Sequence, residues 1–138
     1  MISYLAEEIK IPSFSKRKIS TWIKQVVANY VCKVGDVTFI FCTDEKILEL
    51  NKQYLQHDYY TDIITFDYTE GKKISGDIFV SLDTVATNSQ KFKTSFEQEL
   101  YRVLIHGVLH LCGQEDKSAV DRAEMTRKEN EALQLLSQ

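Results

Sequence analysis

Two of the three histidines, His106 and His110, stand four residues apart in a strongly apolar part of the sequence. Between positions 103 and 112 they are the only strongly polar side chains. Residues i and i+4 of a helix lie on one face, so both imidazoles can reach one object about one helical turn wide. Burying an imidazole without a partner costs about 1–3 kcal/mol. A divalent metal ion, which neutral imidazole binds readily, would give both histidines the same partner.

A third ligand is expected just after this stretch. Gly113 is typical of the residue past a helix end, where the chain can fold back over the same face. Glu115 and Asp116 follow it, and a carboxylate there would complete a three-ligand set. Structural zinc sites usually have four protein ligands, so three ligands favour an open coordination position and catalysis. A zincin peptidase is disfavoured, because its general-base glutamate would stand where this chain has Gly107.

The same stretch carries a specific family pattern. Residues 106–113 read HGVLHLCG and resemble the signature of the bacterial YbeY family, metal-dependent endoribonucleases of ribosomal RNA maturation. Further positions are similar to the family's strands and helices in order and spacing: Asn51, Tyr54, 61–66 (TDIITF), 76–78 (GDI), and Glu99 with Leu100. The resemblance extends from about residue 36 to the C-terminus, and agreement at several separated motifs is hard to obtain by chance.

This resemblance implies a set of metal ligands. The family's third ligand is usually a histidine six residues after the second one, and Asp116 stands at that position here. A metal site is therefore expected at His106, His110 and Asp116. Zn²⁺ is the expected ion, with Fe²⁺ and Ni²⁺ left open, since two histidines and one carboxylate also bind the iron of non-haem oxygenases.

The resemblance also implies an activity and a partner. It predicts a single-strand-specific endoribonuclease of small-subunit rRNA end processing and ribosome quality control, acting on rRNA in the small ribosomal subunit with its proteins. The family's substrate-facing arginine is Leu55 here, and His57 could take over part of its role. His57 and Glu115 are the candidate catalytic residues, with the general base unassigned. Two alternatives stay open: a metal-dependent hydrolase of a peptide or small phosphoester, and a non-catalytic metal-binding factor of ribosome assembly.

Strands and helices alternate along the chain and must position these residues. Apolar periodicity and turn signals predict helices at 15–30, 43–55, in the polar stretch after 81, at 95–112 and at 121–136, with Gly35 ending the first. Strands are predicted at 2–9 (an edge), 36–42, 61–68 and 76–81, with a hairpin at 69–73. The pattern indicates an α+β sandwich with a mixed sheet of about four strands.

Several other residues are interpreted as structural. Asp62 and Asp77 are expected to begin strands and cap turns. Trp22 and Cys42 are expected in the core. Cys112 is expected to point away from the face of the two histidines, because successive helix residues turn by about 100°.

Composition limits the class of protein. The chain has 138 residues and 27% charged residues, which predicts one domain over 1–138. It carries no signal-like N-terminus, no apolar run of about 18–20 residues, and three cysteines without CxxC spacing, so a cytoplasmic protein without membrane or organic cofactor is expected.

Charge bears on the RNA partner. The net charge of −3 is not that of a general nucleic-acid binder. Basic residues cluster locally at 16–18, 72–73 and 91–93, while acids gather in 121–131. Weak, salt-sensitive contacts are therefore expected from the protein alone, which favours RNA presented on a ribosomal particle.

Overall fold

Four strands form a mixed sheet in the computed structural model, which describes residues 1–55 and 63–137. They are β1 (Ile2–Ala6), β2 (Lys33–Cys42), β3 (Ile63–Asp67) and β4 (Lys73–Ser81). Their order in the sheet is β1-β2-β4-β3, with β1–β2 and β2–β4 parallel and β3–β4 antiparallel. The predicted α+β class, the mixed sheet and the edge position of the first strand are confirmed.

The helices begin where the sequence places hydroxyl side chains. They are α1 (Lys16–Asn29), α2 (Asp44–Leu50), α3 (Leu82–Lys91), α4 (Phe96–Leu111) and α5 (Ala119–Leu136). Each is preceded by a serine or threonine whose side chain accepts a backbone N–H of the first turn. The helix predicted over 43–55 differs at its end, since α2 stops at Leu50 and continues as a π-helical turn, Asn51–Leu55. No helix in the described ranges is long and apolar enough to cross a bilayer.

The main core lies between the sheet and the layer of α1 and α4. Strand β2 is central, and its Phe39 and Phe41 are fully buried, as its apolar faces predict. Trp22 of α1 is 2% exposed and donates its indole N–H to the Ala132 carbonyl of α5 at 2.7 Å. The core therefore also fixes α5 against α1.

Helix α4 approaches the sheet closely at Gly107. A Cβ at this position would lie 2.9 Å from Ile63 Cδ1 and 2.9 Å from Ile78 Cγ2. Real Cβ atoms do not come so close to a neighbour, so glycine lets the helix backbone rest on these two strand residues. The neighbouring His106 and His110 keep 22% and 28% of their side-chain surface exposed. The helix thus packs one side on the sheet and leaves both imidazoles accessible.

The prediction that Gly35 ends the first helix is wrong. That helix ends at Asn29, and Val31 takes the left-handed backbone conformation with φ 58°. Gly35 lies inside β2, where a Cβ would come within 2.5 Å of Ser75 Oγ and 2.8 Å of the Ile74 carbonyl oxygen. Glycine is needed there for the close approach of two strands.

The prediction that Asp77 begins a strand is also wrong. Strand β4 starts four residues earlier, because Lys73 and Ile74 already pair with the first residues of β2. Asp77 lies inside the strand, and its carboxylate accepts a hydrogen bond from the Tyr68 hydroxyl at 3.4 Å. The hairpin between β3 and β4 is confirmed, with Gly71 at φ 60° in its turn. Asp62 lies outside the described residues.

Candidate metal centre

The end of α4 is built so that the chain turns back over the two histidines. The Gly113 N–H donates to the His110 carbonyl at 3.0 Å, and the Gln114 N–H donates to the Leu109 carbonyl at 3.0 Å. Gly113 has φ 101°, a conformation that glycine adopts without strain. These two bonds are those of a Schellman motif. The predicted stop at Gly113 is confirmed, and the turn carries Asp116 back towards the helix.

Three ligand atoms meet at this turn. The Nε2 atoms of His106 and His110 are 3.0 Å apart. The Asp116 Oδ2 atom lies 3.3 Å from the first of them and 3.7 Å from the second. Two ligands at about 2.0–2.1 Å from a tetrahedral ion lie about 3.3 Å from each other. The three atoms are therefore spaced as the ligands of one ion would be.

The other nitrogen of each imidazole decides which atom faces the cluster. His106 Nδ1 lies 2.6 Å from the Glu129 Oε2 atom, and His110 Nδ1 lies 2.9 Å from the Gln114 carbonyl oxygen. Both partners are acceptors, so each Nδ1 carries the proton in the neutral ring. Each Nε2 then directs a lone pair into the space that the Asp116 carboxylate also faces. Converging lone pairs repel each other, and a bound cation would relieve that repulsion, so this donor set fits a metal ion.

The protonation state of His110 also suits a ligand. Burial lowers its pKa from the ordinary value of 6.5, and the neighbouring His106 lowers it further, while the Asp116 carboxylate acts in the opposite direction. The net shift favours the neutral imidazole, which is the form that binds metals. The Asp116 side chain is 36% exposed, so the cluster borders solvent on that side.

The remaining sequence candidates lie apart from the cluster or outside the described residues. Glu115 is exposed and is not among the three converging side chains. Cys112 packs against the core, and burial raises the pKa of its thiol to about 12. His57 lies outside the described residues. Leu55 is the last residue of the π-helical turn.

Glu129 contacts the cluster, although the sequence motifs do not single it out. The sequence predicts a helix over 121–136 with acids gathered in 121–131, yet Glu129 is 7% exposed and touches His106. A signal was present in the spacing. Glu129 is four residues after Met125 and three before Ala132, and all three are buried on one side of α5. A carboxylate at an apolar position of a helix needs a buried partner.

Comparison with known proteins decides the family. The model of the endoribonuclease YbeY family matches residues 2–137, nearly the whole chain. The chain belongs to the endoribonuclease YbeY family. The resemblance inferred from the histidine motif and the strand motifs is confirmed, and it extends to the N-terminal strand and first helix.

Relatives named endoribonuclease YbeY match over nearly their full length. The protein from Parabacteroides distasonis is 59% identical over 135 residues, which cover 98% of this chain and 95% of that protein. The protein from Bacteroides fragilis is 56% identical and covers 99% of both chains. The relative from Porphyromonas gingivalis is 46% identical over 99% of this chain and 91% of its own.

A solved structure has the same fold. The solution structure of a Thermotoga maritima protein matches with a TM-score of 0.69 and 28% sequence identity. The match covers 99% of this chain and 89% of that protein. The arrangement of five helices and a four-stranded mixed sheet in the described residues is therefore shared with an experimentally determined structure.

Proposed function

We propose that this YbeY family member is a metal-dependent endoribonuclease of rRNA maturation, with His106, His110 and Asp116 as the metal ligands. One observation carries the proposal: three ligand atoms converge at metal-ligand spacing in a chain that matches an endoribonuclease family over residues 2–137. Both the fold and the tautomers of the imidazoles support the same assignment.

Each ligand has a defined part. His106 and His110 offer neutral Nε2 atoms, held in position by hydrogen bonds at Nδ1. Asp116 supplies the third ligand atom and one negative charge. A divalent ion at this site would lower the pKa of a bound water to about 7 and polarise a phosphoryl oxygen. The exposed side of Asp116 is where an RNA phosphodiester can approach the centre.

Zn²⁺ is the ion we propose. The three ligand atoms lie 3.0–3.7 Å apart, a range that includes the spacing of tetrahedral ligands, and nitrogen with carboxylate oxygen is a common zinc set. Aspartate in place of the usual third histidine makes the ligand set more negative by one charge. Fe²⁺ and Ni²⁺ remain the alternatives, because imidazole binds all three ions and two histidines with one carboxylate suit iron.

The RNA partner is proposed from family membership and from the position of charge. The basic residues at 16–18, 72–73 and 91–93 are all exposed, so they can contact phosphates in spite of the net charge of −3. Such scattered contacts are weak and sensitive to salt. We therefore propose that the protein works in the cytoplasm on single-stranded rRNA presented by the small ribosomal subunit.

Cleavage of a single-stranded rRNA fragment by purified protein tests this function. Chelation is expected to abolish cleavage, and Zn²⁺ is expected to restore it, because the ion is required for the chemistry. His110→Ala removes one ligand and is expected to remain inactive after Zn²⁺ is added back. Asp36→Ala changes an exposed carboxylate outside the cluster and serves as the control.

Three results would contradict the proposal in different ways. Cleavage that ignores chelation would exclude a role for the metal. Normal rRNA processing in cells that carry only His110→Ala would indicate an assembly factor that acts by binding. Hydrolysis of a peptide or small phosphoester, without cleavage of RNA, would indicate a different substrate. The general base is to be sought separately with Glu115→Gln and His57→Gln.

A further inference from the structure

We propose that Glu129 is a positioning residue of the metal centre, holding His106 in the tautomer and orientation that metal binding requires. The inference rests on the proposed function, because it needs an ion bound at His106. It concerns a residue on α5, a helix that contributes none of the three proposed ligands.

The contact between Glu129 and His106 is short and sheltered. The Oε2 atom lies 2.6 Å from Nδ1, slightly closer than the usual distance of about 2.7–2.9 Å for a charge-assisted N–H···O hydrogen bond. Glu129 is 7% exposed and lies on the buried side of α5 beside Met125 and Ala132. A carboxylate in such a place loses its hydration, and specific hydrogen-bond partners must offset that free-energy cost. The imidazole N–H is one such partner.

The second oxygen of the same carboxylate is also fixed. Arg102 donates from Nη1 to Glu129 Oε1 at 2.9 Å and from Nη2 to Asn130 Oδ1 at 2.8 Å. Arg102 stands four residues before His106 on α4, so both donors come from one face of that helix. The carboxylate is therefore held at both oxygens, which leaves the imidazole ring little freedom to rotate or flip.

The two histidines are supported differently. His110 donates to a neutral backbone carbonyl, that of Gln114, at 2.9 Å, whereas His106 donates to a full negative charge. A carboxylate behind an imidazole strengthens the donor nitrogen on the opposite side of the ring. His106 is thus expected to be the stronger of the two imidazole ligands, and Glu129 to account for the difference.

An ordinary ion pair between α4 and α5 is the competing explanation. Such a pair would stabilise the fold without changing the affinity for the metal ion. The two explanations separate when metal affinity and the stability of the metal-free protein are measured on the same variants. The tautomer of His106 gives a third readout, which a purely structural ion pair would not control.

Glu129→Gln is the decisive variant, because the amide keeps the size of the side chain and removes its charge. Glu131→Gln is the matched control, since it makes the same change on the same helix at a residue that pairs with Arg127 on the surface. Zn²⁺ affinity, measured by competition with a chromogenic chelator, is expected to fall about 10–100-fold in Glu129→Gln. It is expected to stay at the wild-type value in Glu131→Gln.

Nitrogen-15 NMR of histidine-labelled, metal-free protein gives the second measurement. His106 is expected to carry its proton on Nδ1 in the wild type and to populate the other tautomer in Glu129→Gln. If that variant fails to fold, Arg102→Gln is used instead. It removes the hydrogen bond from Arg102 to the Glu129 carboxylate, and Glu129 itself is unchanged. A smaller loss of Zn²⁺ affinity is then expected, with His106 still mostly protonated on Nδ1.

The outcomes distinguish this inference from the proposed function. Wild-type protein that binds Zn²⁺ while Glu129→Gln binds it equally well would overturn the positioning role alone. An unchanged tautomer of His106 in Glu129→Gln would overturn it as well. Wild-type protein that binds no Zn²⁺ would overturn the proposed function, and the inference with it.

Discussion

His106 and His110 differ from ordinary half-buried histidines in what surrounds their ring nitrogens, since each has an acceptor at Nδ1 and other ligand atoms at Nε2. Each ring donates from Nδ1 to an acceptor, which directs both Nε2 lone pairs at one point. A structural histidine would place at least one of these atoms against a donor. The orientation of two rings by two separate acceptors is what makes a metal ion the natural occupant of the space between them.

The lowered pKa of His110 predicts how stability depends on pH. The unfolded chain binds a proton at this residue near the ordinary value of 6.5, whereas the folded chain does so only at lower pH. The unfolded state therefore binds more protons as pH falls through 6.5, and the metal-free fold loses stability there. Thermal unfolding of metal-free protein is expected to show a lower midpoint at pH 5.5 than at pH 7.5.

His110→Ala provides the comparison for that experiment. The variant lacks the titrating group, so its midpoint is expected to change less over the same pH interval. An equal or larger change in His110→Ala would contradict the assignment of the pH dependence to this residue. Added Zn²⁺ is expected to raise the wild-type midpoint at pH 7.5, since a ligand of the folded state stabilises it.

Residue types and spacing single out the proposed ligands, but not the residue on α5 that contacts His106. Four-residue spacing, an apolar helix and a terminating glycine were enough to predict that the two histidines share a face. Assigning Asp116 rather than Glu115 also required the resemblance to a family. Glu129 could not be placed, because its contact with His106 depends on how α5 crosses α4. That crossing is set by tertiary packing, and here the indole N–H of Trp22 bonded to the Ala132 carbonyl contributes to it.

At the scale of elements, α4 both packs on the sheet and presents part of the site. Gly107 lies on the side that packs on β3 and β4, and the more exposed side carries His106 and His110. A change in the distance between helix and sheet would therefore move both histidines relative to Asp116, which follows the helix. Gly107 therefore influences the geometry of the site through packing, and not through contact with the proposed ligand atoms.

Gly107→Ala tests how tightly α4 packs on the sheet at this position. Alanine favours a helix by about 1 kcal/mol over glycine, but its Cβ would lie 2.9 Å from Ile63 Cδ1 and Ile78 Cγ2. Overpacking of a core costs about 1–3 kcal/mol, so we expect a net loss of about 1 kcal/mol in the free energy of unfolding. Urea unfolding of metal-free protein measures it.

A second substitution makes the test specific. Ile63→Val removes the Cδ1 atom that the new methyl group would meet. Ile63→Val is expected to lower the free energy of unfolding less in the Gly107→Ala background than in the wild type. Such a difference is a coupling between contacting residues. Strict additivity of the two changes would contradict the packing account.

The sheet shows which features of elements sequence patterns can and cannot supply. The central burial of β2 and the β3–β4 hairpin follow from local residue types. Strand order does not, because pairing β2 with β4 joins residues that are far apart in the chain. The prediction for Gly35 is wrong for the same reason. Glycine is required at this position because Ser75 and Ile74 on the neighbouring strand leave no room for a Cβ, and not because a helix ends there.

At the scale of the whole molecule, basic and acidic residues occur on the same elements. Basic residues are exposed at 16–18, 72–73 and 91–93, and α5 carries the acids of 121–131 together with Arg122, Arg127 and Lys128. A net charge of −3 is consistent with an enzyme that meets its RNA already bound to a larger particle. That residues 1–138 form one domain remains a prediction. It implies a single cooperative unfolding transition.

The most direct test of the central claim is metal analysis of the purified protein beside Asp116→Ala. The wild type is expected to hold a single divalent ion per chain, and Asp36→Ala to hold the same amount. Asp116→Ala is expected to lose it, with affinity weakened by more than about 100-fold, because changes to residues behind the ligands alone cost 10–100-fold. Unchanged metal content in Asp116→Ala would contradict the claim that His106, His110 and Asp116 form the metal centre.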